Sequence, residues 1–326
     1  MGLFLLKRLA GLAVTLLVAS MVVFAALEIL PGNAAQVMLG PDAAPAAVQA
    51  LERQLGLDQP AIVRYEQWIG GLLYGNMGTS YAYGSQASHM IAGSLALTIP
   101  LALLALFLAC IMALAGGMYA AARHRRAGDA WMMALSQLGM AIPGFWLAML
   151  LILVFSVRLR WFAAGGFDGW GSHPVQWLRS LKSLVLPALA LSLVQAAVLM
   201  RITRAAMLEV LQEDFVRTAR ARGLSPRAVL FRHVLRNALI PVLTLSGLQF
   251  ANLLAGAIVV ENVFFLPGLG RLLFQSIANR DLVVVRNGVL VLATLVILVN
   301  AGVDLLQALV DPRLRQPQRA EEGSGA

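Results

Sequence analysis

The sequence predicts an all-α membrane protein with six transmembrane helices and both termini on the cytoplasmic side (N-in/C-in). Three observations carry this expectation. Only 13% of the 326 residues are charged while 60% are hydrophobic, and a soluble domain carries about a quarter charged residues. The apolar residues gather into six runs of 18 residues or more, and a helix needs about 20 to cross a hydrocarbon core. The basic residues are also unevenly shared among the intervening loops: 16 fall on the side of the N-terminus and 9 on the other. Basic residues favour the cytoplasmic face, so that bias sets the orientation.

Leu9–Leu27 is the first run. The apolar part of a cleaved signal peptide spans only about 7–15 residues, so residues 1–30 are read as a retained span. Residues 31–89 form the one sizeable polar loop, extracytoplasmic and with amphipathic segments, and its only basic residues are Arg53 and Arg64. Ala61–Tyr74 is expected to be an amphipathic helix with Ile62, Tyr65, Ile69 and Leu72 on one side. Tyr65, Trp68, Tyr74, Tyr81 and Tyr83 suit a membrane–water interface.

Residues 90–312 are expected to form a core of five further spans. Met90–Ala122 is uncharged and would reach about 50 Å as a helix, more than the bilayer core requires. Its Ala105, Ala109, Ala113 and Gly117 make a column of small residues that permits close helix approach. A basic turn, Arg123–Asp129, leads to Ala130–Val157, which Pro143-Gly144 interrupts. Arg158–Lys182 is polar and carries Trp161, Trp170 and Trp177, again suited to an interface. Ser183–Met200 is the fourth span and Asn237–Val260 the fifth, with Gly247, Ala251 and Ala255 repeating the small-residue spacing. Glu261–Arg286 is an outer loop, and Asn287–Val310 is the sixth span, with Asn300 and Asp304 one turn apart. Residues 313–326, ending EEGSGA, are expected to be a disordered cytoplasmic tail.

Between spans four and five lies Arg201–Arg236, which holds eight arginines. Each would cost about 2.5–3.5 kcal/mol at mid-membrane, so the segment belongs in water. Leu208, Leu211, Phe215 and Ala219 recur at helical spacing, with acids early (Glu209, Glu213, Asp214) and bases late (Arg217, Arg220, Arg222), as a helix dipole favours. Glu213 and Arg217 are a favourable i,i+4 pair. Gly223 fits the left-handed position after a helix end. Ser225-Pro226 then restarts a helix, with serine as N-cap and proline first inside. The unit reads as a cytoplasmic docking knob; the rival helix-turn-helix reading fails because flanking spans pin it to the membrane surface.

Several functions are excluded. Neither Lys7 nor Lys182 follows a glycine, so there is no phosphate-binding GxxxxGK[ST] loop. HExxH and GxSxG are absent, and the four histidines are scattered over different loops, which leaves no catalytic set and no metal site. Cys110 is the single cysteine, so no disulfide forms within the chain.

The string DFVRTARARGLSPRAVLFRHVLRNALIP, Asp214–Pro241, resembles the coupling loop of ABC-importer permease subunits, and more narrowly their dipeptide/oligopeptide/nickel branch. Aligned on Gly223, Ala219 matches the family pattern, while Arg217 and Thr218 stand where Glu and Ala are general, and Arg236 where a later Pro is. GLDQP at Gly56–Pro60, RYEQW at Arg64–Trp68, GNMGTS at Gly75–Ser80, ENVFFLPGLG at Glu261–Gly270 and the DPR at Asp311–Arg313 resemble the same branch.

The resemblance implies an inner-membrane permease subunit of a binding-protein-dependent importer, most simply for di- or oligopeptides, with nickel chelates or glutathione-type peptides as alternatives. It implies two permease subunits, usually non-identical homologues, two cytoplasmic ATPases holding ATP and magnesium, an extracytoplasmic binding protein, and no cofactor in this chain. Membrane lipid is a partner and nucleic acid is not. It places ATPase coupling on Glu213, Asp214, Arg217, Thr218, Ala219, Arg220, Gly223, Leu224 and Ser225. Glu261, Asn262, Pro267, Gly268, Gly270 and Asp281 are expected to line the pathway or hold the outer loop; Glu261 also has a plainer reading, a solvated acid at a span end. A stand-alone secondary transporter, the reading from another class, would call for ionisable residues in mid-span, and almost none are present.

Overall fold

Helix dominates because the apolar runs must satisfy their backbone internally. In the computed structural model, which describes residues 2–29, 34–40, 42–171 and 173–310, the elements are helices apart from one bridge between Thr79 and Gln86. In order they are α1 (Gly2–Ile29), α2 (Ala34–Leu39), α3 (Pro45–Gln54), α4 (Ala61–Leu73), α5 (Ala87–Ala122), α6 (Ala127–Ala141) and α7 (Gly144–Leu151), which continues as a π-helix to Arg158. Then follow α8 (Pro174–Val210), α9 (Asp214–Ala221), α10 (Pro226–Val229) with a π turn over Leu230–Val234, α11 (Leu235–Val263), α12 (Leu269–Ala278) and α13 (Leu282–Val310). The expected tail and Asp311–Arg315 lie outside the described residues, and so does the Asp304 side chain.

Five helical stretches are long and apolar enough to cross a membrane, and a sixth arises if α6 and α7 count as one span. That pair is bent by 101°. The cause is local: Pro143 excludes the α conformation from the residue before it, and Ile142 is extended at φ −81°, ψ 125°. Pro100, Pro187 and Pro241 instead lie within α5, α8 and α11.

The chain divides into two compact units. The first comprises Met1–Ala102, Ala148–Pro187 and Leu254–Ile297; the second comprises Leu103–Leu147, Ala188–Leu253 and Leu298–Ala326. One core of the first unit is formed by Ala87, Ile91, Leu269, Leu273, Val283 and Val284. On α4 the expected face is half-buried at Tyr65, Ile69 and Leu72, but Ile62 is 64% exposed, and Trp68, expected at an interface, is buried. Phe24 of α1 packs on Tyr65 and Trp68 with ring centroids 5.4 and 6.1 Å away, which fastens α4 to the end of α1.

In the second unit the expected column on α5 is packed. Ala105, Ala109 and Ala113 are fully buried, and a Cβ on Gly117 would lie 2.6 Å from the Thr203 side chain on α8. Small residues thus bring the two backbones together, as expected where packing rather than water drives association. The other column is only partly so: a Cβ on Gly247 would strike Val303, but Ala255 is exposed.

Candidate functional site

Within the second unit, the segment after α8 is folded as helix, break, helix, but the break comes earlier than the apolar stripe suggests. The chain turns at Leu211–Glu213 and restarts at Asp214. Crossing that turn shifts the helical phase. Val216 and Ala219 face inward while Phe215, expected on the apolar side, is 42% exposed. Val216 and Ala219 join Ala121, Met207, Val229 and Val234 in one buried cluster. Arg217 pairs with Asp214 at 3.2 Å instead of with Glu213, which stands outside the helix as its N-cap. Gly223 has φ +79° and follows the C-cap Arg222, a left-handed corner that costs glycine little. Ser225 caps α10, its hydroxyl accepting from the Ala228 N–H at 3.3 Å. Glu213, Asp214, Arg217, Thr218, Arg220, Gly223, Leu224 and Ser225 are all exposed; Ala219 alone of the expected coupling residues is buried.

One ion pair in this unit has no local sequence signal. Asp129 opens α6, is 4% exposed and holds Arg204 of α8 through both carboxylate oxygens, at 2.5 and 2.7 Å. Asp129 also accepts from the Arg125 N–H at 3.2 Å, and His124 Nδ1 lies 3.3 Å away. The basic turn is therefore tied down by a bidentate pair, the strong form of such contacts.

The expected outer-loop residues lie in the first unit and are knit together there. Glu261 is fully buried, not solvated. Its carboxylate accepts from the Thr98 hydroxyl at 2.6 Å, the Gly270 N–H at 2.7 Å and the Arg271 N–H at 3.3 Å. Those amides open α12, so the carboxyl sits where the helix dipole favours an acid. Gly270 is sterically compelled, since a Cβ there would lie 2.3 Å from the Ile258 Cα. Gly268 lies against the Glu261 carboxyl, Pro267 is exposed, and the Asn262 amide donates to the Ile258 carbonyl at 2.7 Å.

Asp281 is also fully buried. It caps α13 by accepting from the Val284 N–H at 3.3 Å, and it accepts from the Ala82 N–H and the Ser80 hydroxyl. Sequence reasoning missed Asn287, which receives the Trp68 indole N–H at 2.8 Å and donates to the Met77 carbonyl at 2.7 Å. These partners are 219 and 210 residues away, beyond the reach of any periodicity. Together the contacts anchor the Gly75–Ser80 loop and α4 to the start of α13. The arrangement offers no nucleophile–base pair; it is a set of structural clips.

Comparison with known proteins gives a consistent picture. The family model described as "Binding-protein-dependent transport system inner membrane component" matches residues 113–316, and its N-terminal counterpart matches residues 1–102. The di/tripeptide transport system permease protein of Pseudomonas aeruginosa is 40% identical over 335 residues, covering 96% of this chain and 98% of the relative. The glutathione transport system permease protein of Escherichia coli is 40% identical over 312 residues, with 96% and 98% covered. Among solved structures, the inward-facing MetNI methionine ABC transporter matches with a TM-score of 0.56 at 17% identity, over 68% of this chain and 96% of that one. This last likeness is one of fold.

Proposed function

Because the chain belongs to the family of binding-protein-dependent transport inner-membrane components, we propose that it forms half of a peptide translocation pathway and couples it to ATP hydrolysis through α9. As a permease of an ATP-driven importer it resides in the inner membrane, is not itself catalytic and carries no cofactor. A binding-protein-dependent system implies an ATPase and a binding protein as partners. The finer reading is that the termini face the cytoplasm, that a second, non-identical permease completes the path, and that α9 with its glycine corner docks on the ATPase.

The exposed side of α9 supports that docking role. Beside its charged residues α9 leaves Phe215 42% exposed and the corner after it leaves Leu224 37% exposed, while Val216 and Ala219 bind the helix firmly to its own unit. Such a helix transmits a push as a rigid body, which is what a change between inward- and outward-open forms requires. Burying a Phe-sized side chain at an interface is worth about 1.5–3 kcal/mol. The double variant Phe215→Ala, Leu224→Ala should therefore insert normally yet lose at least about tenfold in ATP-driven peptide uptake, measured in proteoliposomes with the complete importer. Normal uptake by this variant would remove α9 from the coupling role. Peptide as cargo is supported by relatives named for di/tripeptide and glutathione transport. Competition among labelled dipeptide, glutathione and a nickel chelate in the same vesicles decides between those cargoes, and a failure of peptides to compete would overturn this choice.

A further inference from the structure

A cavity of about 210 Å³ opens in the first unit where α1 ends, α4 passes and α13 begins. Its lining includes the apolar Phe24, Leu27 and Leu57 together with Arg64, Tyr81 and Arg286. The charges around it do not balance. Glu28 is spent on Arg64, with which it forms an ion pair. Asp281, the acid nearest to Arg286 in sequence, is occupied by Ser80, Ala82 and Val284. Arg286 is half-buried, and its Nε is sealed from solvent with no hydrogen-bond partner among the described residues. Its guanidinium lies 5.4 Å from the centre of the Trp68 ring, a contact that holds the group in place. Trp68 is held in turn by Asn287. Arg286 lines the cavity while its near carboxylate is already taken, which leaves its terminal N–H groups available to an anion there.

We infer that this cavity binds a phosphate group, presented by a membrane phospholipid or by a free phosphate ester, with Arg286 as its charge partner. Guanidinium meets phosphate in a planar, two-bonded geometry. Burial raises the Tyr81 phenol above its usual range despite the nearby arginines, so at neutral pH it remains an O–H donor toward a phosphate oxygen. The volume equals that of about seven waters, enough for a phosphate with its glycerol. The apolar lining of Phe24, Leu27 and Leu57 suits the carbons beyond it. The cavity adjoins the ends of two membrane-length apolar stretches, Ala10–Ile29 and Leu282–Val303, the depth at which lipid headgroups lie. That placement favours the lipid source.

The test uses the purified full-length chain in neutral detergent and follows its melting on titration with dioctanoyl phosphatidylglycerol, with glycerol 3-phosphate and with phosphate-free dioctanoylglycerol. The expected result is stabilisation by the phospholipid and none by dioctanoylglycerol, with apparent affinity at least about 30-fold weaker in Arg286→Met and partly restored in Arg286→Lys. A response to glycerol 3-phosphate as well would extend the site to free esters. Without bound phosphate, Arg286→Met should melt no lower than wild type, since a sealed Nε–H with no hydrogen-bond partner has been removed. If that variant does not fold, native mass spectrometry of wild type against Tyr81→Phe supplies the readout, the wild type retaining one phospholipid more firmly. Equal responses of wild type and Arg286→Met, or no phosphate-dependent response in either measurement, would overturn the assignment. The peptide reading is tested by uptake and stands or falls separately.

Discussion

Gly270→Ala places one methyl group at the most crowded point of the Glu261 clip, and its cost follows from the distances. The added Cβ would lie 2.3 Å from the Ile258 Cα and 2.9 Å from the Glu261 Oε2. Ordinary contact begins more than about 1 Å further out, and the nearest obstacle is backbone, which cannot rotate aside. Overpacking of this kind costs about 1–3 kcal/mol. Moving the start of α12 also stretches the Gly270 N–H bond to the buried carboxylate, 2.7 Å in the folded chain. Leaving that buried donor unpaired costs about 1–3 kcal/mol, so the sum is about 2–6 kcal/mol. At about 2–4 °C per kcal/mol, the apparent Tm of the detergent-solubilised chain should fall by about 4–24 °C. Gly93→Ala is the control. It lies in α5 with nothing within 4 Å of its Cβ position, and alanine is the better helix former by up to about 1 kcal/mol. Should Gly270→Ala melt within about 2 °C of wild type, the clip would not have the rigidity ascribed to it.

Three further outcomes follow from the same contacts. Asp129→Asn and Arg204→Gln should each destabilise by about 3 kcal/mol, the low end for buried pairs, because Arg204 keeps 23% of its side chain exposed. The double variant should lose less than the sum of the two, read as a coupling energy from denaturation of all four proteins. Asn287→Leu strands the Trp68 indole N–H and one bond of the Met77 carbonyl. It should cost about 1–3 kcal/mol for each group left unpaired and shift tryptophan emission. Ser225→Ala removes the α10 cap and should cost about 1 kcal/mol, detected as faster amide exchange at Val229.

The segment that follows α8 was legible wherever its signal was local. Gly223 and Ser225-Pro226 have conformational preferences that neighbours do not override, and they occupy the corner and the cap that those preferences dictate. The expected face of α9 fails at Phe215 because a three-residue turn at Leu211–Glu213 resets the helical phase, so Val216 takes the inner side while Ala219 is buried as expected. A continuous periodicity cannot register such an interruption. The same limit applied to α4, where Trp68 is buried by a hydrogen bond to Asn287, 219 residues away. The Asp129–Arg204 pair, 75 residues apart, joins two segments that each read as merely polar. Membership of the family came through motif strings spread over nearly the whole chain, which carry information that physical patterning alone does not.

The stretch from Phe264 to Gly268, with proline and glycine side by side, has the composition of a swivel. Its neighbour Glu261 removes that freedom. One carboxylate grips the first amides of α12 from the end of α11 and is itself gripped by Thr98, so three segments are riveted at a single point. Flexing this loop would strand a buried carboxyl and two backbone donors together. Whatever shape changes this unit undergoes during transport, the end of α11 and the start of α12 travel as one piece, and the bending must be found elsewhere.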